Sequence, residues 1–194
     1  MSDYRNFLGG LAVAVGILSY IPYFKNIFAG KTKPHAFSWL VWSVQTSIAF
    51  AVQIVEKSGA GSWVTGTTAV ICTAVFLLAL LKGQRQFNTF DWGALIVAGI
   101  GLFLWKITHN PLTALSLVII TDAVGFLPTF RKGYHFPFEE TAITFACAAL
   151  KFTIAIFALE SFTLASWLYP AALVLMNGTF TVMLLIRRRT MAQQ

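Results

Sequence analysis

Charge is scarce in this chain. Asp, Glu, Lys and Arg make up 11% of its 194 residues and only seven are acidic, where a soluble domain averages roughly 25% charged. With 57% hydrophobic residues, against roughly 45–50% in soluble proteins, a water-soluble fold would expose apolar patches that aggregate. Cysteine is also sparse. Cys72 and Cys147 both lie in apolar segments, where a free thiol behaves as a small hydrophobe, and they support neither a disulfide framework nor a metal site. Histidine is confined to His35, His109 and His135, all in connecting segments with no nucleophile or metal-ligand spacing around them. Neither an enzyme nor a bound cofactor is expected. Low-complexity tracts and an inserted soluble domain are missing as well.

What remains is apolar sequence in crossing-length pieces. Taking about 20 residues as one crossing, seven spans are expected, at 6–28, 36–55, 62–82, 91–107, 111–130, 138–159 and 163–186. The connections are short and rich in Gly, Pro and charge. The first run, FLGGLAVAVGILSYIPYF, is too long for a cleavable signal and ends in bulky residues, so it reads as the first span. Basic residues fall unequally on the two sides: Lys25, Lys31, Lys33, Lys82, Arg85, Arg131, Lys132, Arg187, Arg188 and Arg189 on one, and Arg5, Lys57 and Lys106 on the other. By the positive-inside rule the N-terminus is outside and the C-terminus cytoplasmic, in a cell (inner) membrane. The net charge of +7 thus reads as an orientation signal, not a nucleic-acid face. The expected partners are the lipid bilayer and a small solute, with assembly into a homo-oligomer left open.

An internal repeat runs through both ends of the chain. SYIPYFKN recurs as GFLPTFRK 106 residues later, Glu56 matches Glu160, and GSWVTGTTAV matches ASWLYPAALV, pairing Trp63 with Trp167. Three spans end on the opposite face, so one extra crossing is needed to start a second copy in the same orientation. The expected fold is all-α and integral to the membrane: two parallel three-helix repeats, 1–82 and 111–194, joined by a linker with helix four, 83–110 (3+1+3).

In each copy a proline near the cytoplasmic end of the first span is followed by a basic turn and a second proline, IPYFKNIFAGKTKPHAFSWLVW and LPTFRKGYHFPFEETAITF. This resembles the PQ-loop, SWEET-like superfamily, whose members include sugar transporters, cystinosin-like carriers and, more distantly, the KDEL receptor. Tyr23 and Thr129 stand where that family has glutamine. The resemblance implies a small-solute transporter of the alternating-access type, carrying a sugar, amino acid or vitamin-like solute by uniport or proton coupling. It also implies substrate contact at a central asparagine of the third helix, here Asn177 with Thr73 as its counterpart. A receptor that binds without translocating is the alternative within the same fold.

The candidate residues are the polar groups at bilayer depth. Each charge there costs about 2.5–3.5 kcal/mol on insertion scales, yet Asp122 and Lys151 sit in otherwise uncharged spans. At about 1.5 Å per residue, Asp122 is about 15 Å and Lys151 about 12 Å from the outer ends of their spans, with Gln45 and Thr73 also about 15 Å deep. These four, with Asn177 and Trp42, form the expected substrate-binding or proton-coupling layer, in which Asp122 and Lys151 either act on solute or close as an ion pair between helices five and six. Their counterparts in the first copy fall near Gly16 and Ser47. A lysine and an acid in a seven-span chain also admit a retinal-binding protein using Lys151, as a remote alternative. Pro22 and Pro128 are expected to break their helices as paired hinges. Glu139 and Glu140 are expected to open span six, where acids suit a helix N-terminus, with Glu140 also placed to latch onto Arg131 or Lys132.

Overall fold

The computed structural model describes residues 2–30, 34, 36–82, 89–140 and 142–192. Among them the secondary structure is entirely helical: α1 (Ser2–Phe28), α2 (Ala36–Val55), α3 (Trp63–Lys82), α4 (Thr89–Thr108), α5 (Pro111–His135), α6 (Ala142–Phe157) and α7 (Leu164–Met191), with 3₁₀ turns at Gly59–Ser62 and Pro137–Glu139. Four stretches are long and apolar enough to cross a membrane, Asp3–Lys25, Ala36–Val55, Gly59–Lys82 and Leu164–Met191; shorter apolar stretches lie at Leu95–Thr108, Pro111–Leu127 and Ala142–Phe157. Helix starts follow local chemistry. Asn110 Oδ1 accepts from the Leu112 amide at 3.0 Å, with Pro111 as the first helical residue, and Thr163 Oγ1 accepts from the Ser166 amide at 3.3 Å; both are N-caps.

Three expectations need correction. The first concerns the prolines: α1 runs unbroken through Pro22, and α5 through position 128. A helix loses one hydrogen bond at proline, and the remaining turns of each helix carry it through. Pro170, buried in the middle of α7, is tolerated in the same way. The second concerns RKGYH, expected as a turn, which is the last turn of α5. A Cβ on Gly133 would lie 2.7 Å from the Phe180 ring, so the absent side chain lets this turn dock on α7 and stay helical. The third concerns Glu139 and Glu140, which precede α6 instead of opening it: Glu139 ends a 3₁₀ turn and Glu140 is extended, with φ −108° and ψ 148°. Pro137 starts that turn and sets the later beginning of the helix. Lys31, Lys33 and Arg85, counted above for orientation, lie outside the described residues, as do the side chains of Pro128 and Lys132.

Packing order repeats in the two ends of the chain. α3 packs on both α1 and α2, and α7 packs on both α5 and α6; across the molecule α1 packs on α6, and α2 on α5. α4 lies against α5 and α2. At the end bearing Glu56 and Glu160, one apolar core draws on every helix, including Ala12, Val52, Val64, Ala98, Val118, Phe152 and Tyr169. At the opposite end the core divides. One cluster holds Ile27, Trp39, Cys72 and Val75 with Tyr20, Phe24 and Phe76 packed on it, all from α1–α3. The other holds Ala142, Phe180 and Leu184 with Phe126, Phe130 and Phe145, all from α5–α7. Tyr20 and Phe126, Phe24 and Phe130, and Trp39 and Phe145 each stand 106 residues apart, so matching aromatics fill matching places.

Candidate functional site

Where the single core divides lies a buried polar layer. Asp122, Lys151, Gln45, Thr68 and Asn177 are each 7% exposed or less, and Tyr169 is 1% exposed. Lys151 Nζ donates to Thr68 Oγ1 at 3.0 Å, which can accept because its own proton goes to the Val64 carbonyl at 2.6 Å. The ammonium also faces the rings of Phe152 at 4.9 Å and Tyr20 at 5.4 Å, where ring quadrupoles attract it. On its remaining side Gly16 leaves room: a Cβ there would touch the Lys151 chain at 3.4 Å.

Asp122 occupies a different seam. Its Oδ2 accepts from Tyr169 Oη at 3.3 Å. Beside it, Gln45 Nε2 donates to Thr121 Oγ1 at 2.8 Å. Thr121 spends its proton on the Leu117 and Val118 carbonyls at 2.8 and 2.9 Å, so it accepts from Gln45, and the Gln45 amide is thereby oriented with Oε1 buried and unpartnered. Thr65 Oγ1, one turn from Thr68 on α3, is likewise buried without a partner. Cys72 is buried in the adjoining α1–α3 cluster.

The expected ion pair between α5 and α6 does not form. α7 stands between those helices, packing on each, so Asp122 turns to Tyr169 of α7 and Lys151 to Thr68 of α3. Each charge lies on a seam between the two ends of the chain, Lys151 on the α1–α6 seam and Asp122 by the α2–α5 seam. At the offset of 106 that separates Trp39 from Phe145, Gln45 stands to Lys151 as Gly16 stands to Asp122. Each seam therefore joins one charged position to one neutral one.

Other expected site residues scatter. Thr73 is on an exposed flank of α3, bonded to Ser43 at 2.7 Å and outside the layer. Asn177 is buried in the stripe of α7 that packs inward, but its amide donates to its own helix at the Leu173 carbonyl, 2.8 Å away. Trp42 is 41% exposed and forms the outer end of a ring chain: it meets Trp39 edge-on at 5.2 Å, Trp39 meets Tyr20 at 6.2 Å, and Tyr20 faces Lys151. Arginines of α7 reach the same connection. Arg187 Nε donates to the Tyr134 carbonyl at 3.0 Å, and Arg188 donates to the carbonyls of Pro137 and Glu140, tying the end of α7 to the α5–α6 connection. Arg131 makes no ion pair among the described residues. The expected pairing of Glu140 with Lys132 falls on a side chain outside the described residues.

Sequence reading also missed Tyr169, Thr68, Thr121 and Tyr20. All four lie within apolar runs, and only the offset match of Tyr20 with Phe126 carried any sign of them. Hydrogen bonds between 2–82 and 111–192 run from the layer toward the Glu56–Glu160 end. They include Gln45 to Thr121 and Lys151 to Thr68 in the layer, then Gln53 Nε2 to the Ser166 carbonyl at 3.0 Å, the Glu160 amide to the Ser58 carbonyl at 3.1 Å, and Thr163 Oγ1 to Glu56 Oε2 at 2.5 Å. Gly59 has φ +58° with the Glu160 side chain pressed against its Cα, a contact that a Cβ would block. An open apolar groove of about 610 Å³ lies along α7 beside Tyr134. Asp122 and Lys151 do not line it, and its lining is almost wholly apolar. Comparison with protein-family models, curated proteins and solved structures yields no match.

Proposed function

We propose that this chain is a small-solute membrane transporter in which two three-helix halves, 1–82 and 111–194, rock about a buried polar layer, with α4 as the linker that brings the second half into the same orientation as the first. Seven membrane crossings and a parallel 3+1+3 repeat are part of this reading. One observation carries it: the halves are hydrogen-bonded from the layer to the Glu56–Glu160 end, while at the other end each half closes on an aromatic cluster of its own. Such an arrangement is closed on one side of the layer and divided on the other, which is what one state of an alternating-access cycle requires. The sequence resemblance to the PQ-loop superfamily points the same way, and the excess of basic residues puts the divided end in the cytoplasm.

A cross-link tests it. Ser58→Cys with Glu160→Cys, placed on Cys72→Ala and Cys147→Ala, joins the halves at the closed end, where the two backbones are 3.1 Å apart. Solute counterflow into proteoliposomes is expected to fall at least tenfold on oxidation and to return on reduction. Full flux through quantitatively cross-linked protein overturns rocking. Solute binding with no flux in the uncross-linked protein would mark a receptor instead.

A further inference from the structure

The layer holds one cation and one anion, and neither has a counter-ion among the described residues. Lys151 has three protons to donate and gives one to a side chain, Thr68. Asp122 receives a single hydrogen bond, from Tyr169, where a carboxylate offers about four acceptor positions. Among the described residues, the buried polar atoms without a partner include Gln45 Oε1, which only accepts, and Thr65 Oγ1, a hydroxyl that can donate or accept. These charges sit on different seams of one layer, Lys151 against Tyr20 and Asp122 against Tyr169.

Each class of small solute fills this arrangement differently. A simple anion completes Lys151 and crowds Asp122. A simple cation does the reverse, and a neutral polyol leaves both charges uncompensated in a low-dielectric layer. A molecule with a carboxylate and an ammonium on one short chain completes both and leaves the complex neutral. Its ammonium has only donors, which suits Asp122 and the unpartnered Gln45 Oε1 together.

Resting on the transport reading above, we propose that the solute is a small zwitterion, its carboxylate received by Lys151 and Thr68 and its ammonium by Asp122 and Gln45, with the short chain lying along Tyr20.

The test uses the wild-type full chain in proteoliposomes, with counterflow of labelled α-amino acids, β-alanine, γ-aminobutyrate and glycine betaine, and with glucose and glycerol as neutral solutes. For any primary-amine zwitterion that moves, the N-acetyl form keeps only the carboxylate and the amide form keeps only the ammonium; glycine betaine, with no N–H to donate, is expected to move more weakly than the amino acids. Each is expected to compete at least about thirtyfold more weakly, since truncating one partner of a buried charge contact has an effect of this order. Asp122→Asn should then shrink the gap between the zwitterion and its N-acetyl form, and Lys151→Gln the gap between the zwitterion and its amide. Equal competition by the zwitterion and either derivative in the wild type overturns the proposal. Movement of glucose or glycerol with no zwitterion overturns it too, yet leaves the transporter standing. Movement of no solute of any class overturns both.

Discussion

Lys151 is held by one hydroxyl and two ring faces, with no carboxylate against it among the described residues. Taking an ammonium out of water without an ion partner is unfavourable, and buried charges are commonly replaced by apolar groups of like volume with a gain in stability. Lys151→Met is therefore expected to raise the melting temperature in detergent by about 2–4 °C for each kcal/mol gained, while abolishing counterflow. Thermal denaturation followed beside transport checks the pair of outcomes. A lower melting temperature would mean that the ammonium holds the fold together, and would remove the argument that its burial serves solute. Asp122 and Lys151 were legible at this scale because a charge in an apolar run is visible in one dimension. Their partners were not: Tyr169, Thr68 and Thr121 are ordinary residues of apolar helices, and only the packing of α7 and α3 gives them meaning.

At the scale of helices, boundaries set by composition were close and boundaries set by turn chemistry were not. Ala36–Val55 and Trp63–Lys82 follow the apolar runs nearly to the residue. α5 continues through Arg131–Gly133 because its last turn finds Phe180 and Leu184 across the gap left by Gly133. Basic residues also suit a helix C-terminus. That gap can be probed. Phe180 is fully buried among Phe126, Phe130 and Phe145, so its ring has no free space to move into, and Gly133→Ile is expected to destabilise by about 1–3 kcal/mol through overpacking. Gly125→Ala, where nothing lies within 4 Å of an added Cβ, serves as control and is expected to be neutral or slightly stabilising. Equal melting temperatures for the two variants would show that the α5–α7 contact is not tight. The breaks expected at Pro22 and Pro128 do not appear, since a missing amide removes one hydrogen bond and leaves the rest of the helix ladder in place.

For the molecule as a whole, the all-helical class followed from composition, and the order of helices in space followed from nothing in the composition at all. The offset between the copies did carry it, in part: residues 106 apart occupy matching aromatic clusters, which is how Gln45 was matched to Lys151. Orientation is the property that remains to be measured at this scale. A fluorescent or alkaline-phosphatase tag on the C-terminus is expected to report the cytoplasm, and an N-terminal epitope the outside, as the clustering of Arg187, Arg188 and Arg189 beyond the last apolar run dictates. A phosphatase-active C-terminal fusion would reverse the sidedness and place the hydrogen-bonded end inside.

Gly16 and Gln45 on one side, Asp122 and Lys151 on the other, also say something about duplication. Two copies of the first half, related by symmetry, would meet along two neutral seams with no charge to offer a solute. Two copies of the second half would set an aspartate beside a lysine on each seam, and the charges would neutralise one another. In the 3+1+3 arrangement proposed above, only two unlike halves keep a single charge on each seam, and that unlikeness is what would prevent the protein from becoming its own counter-ion.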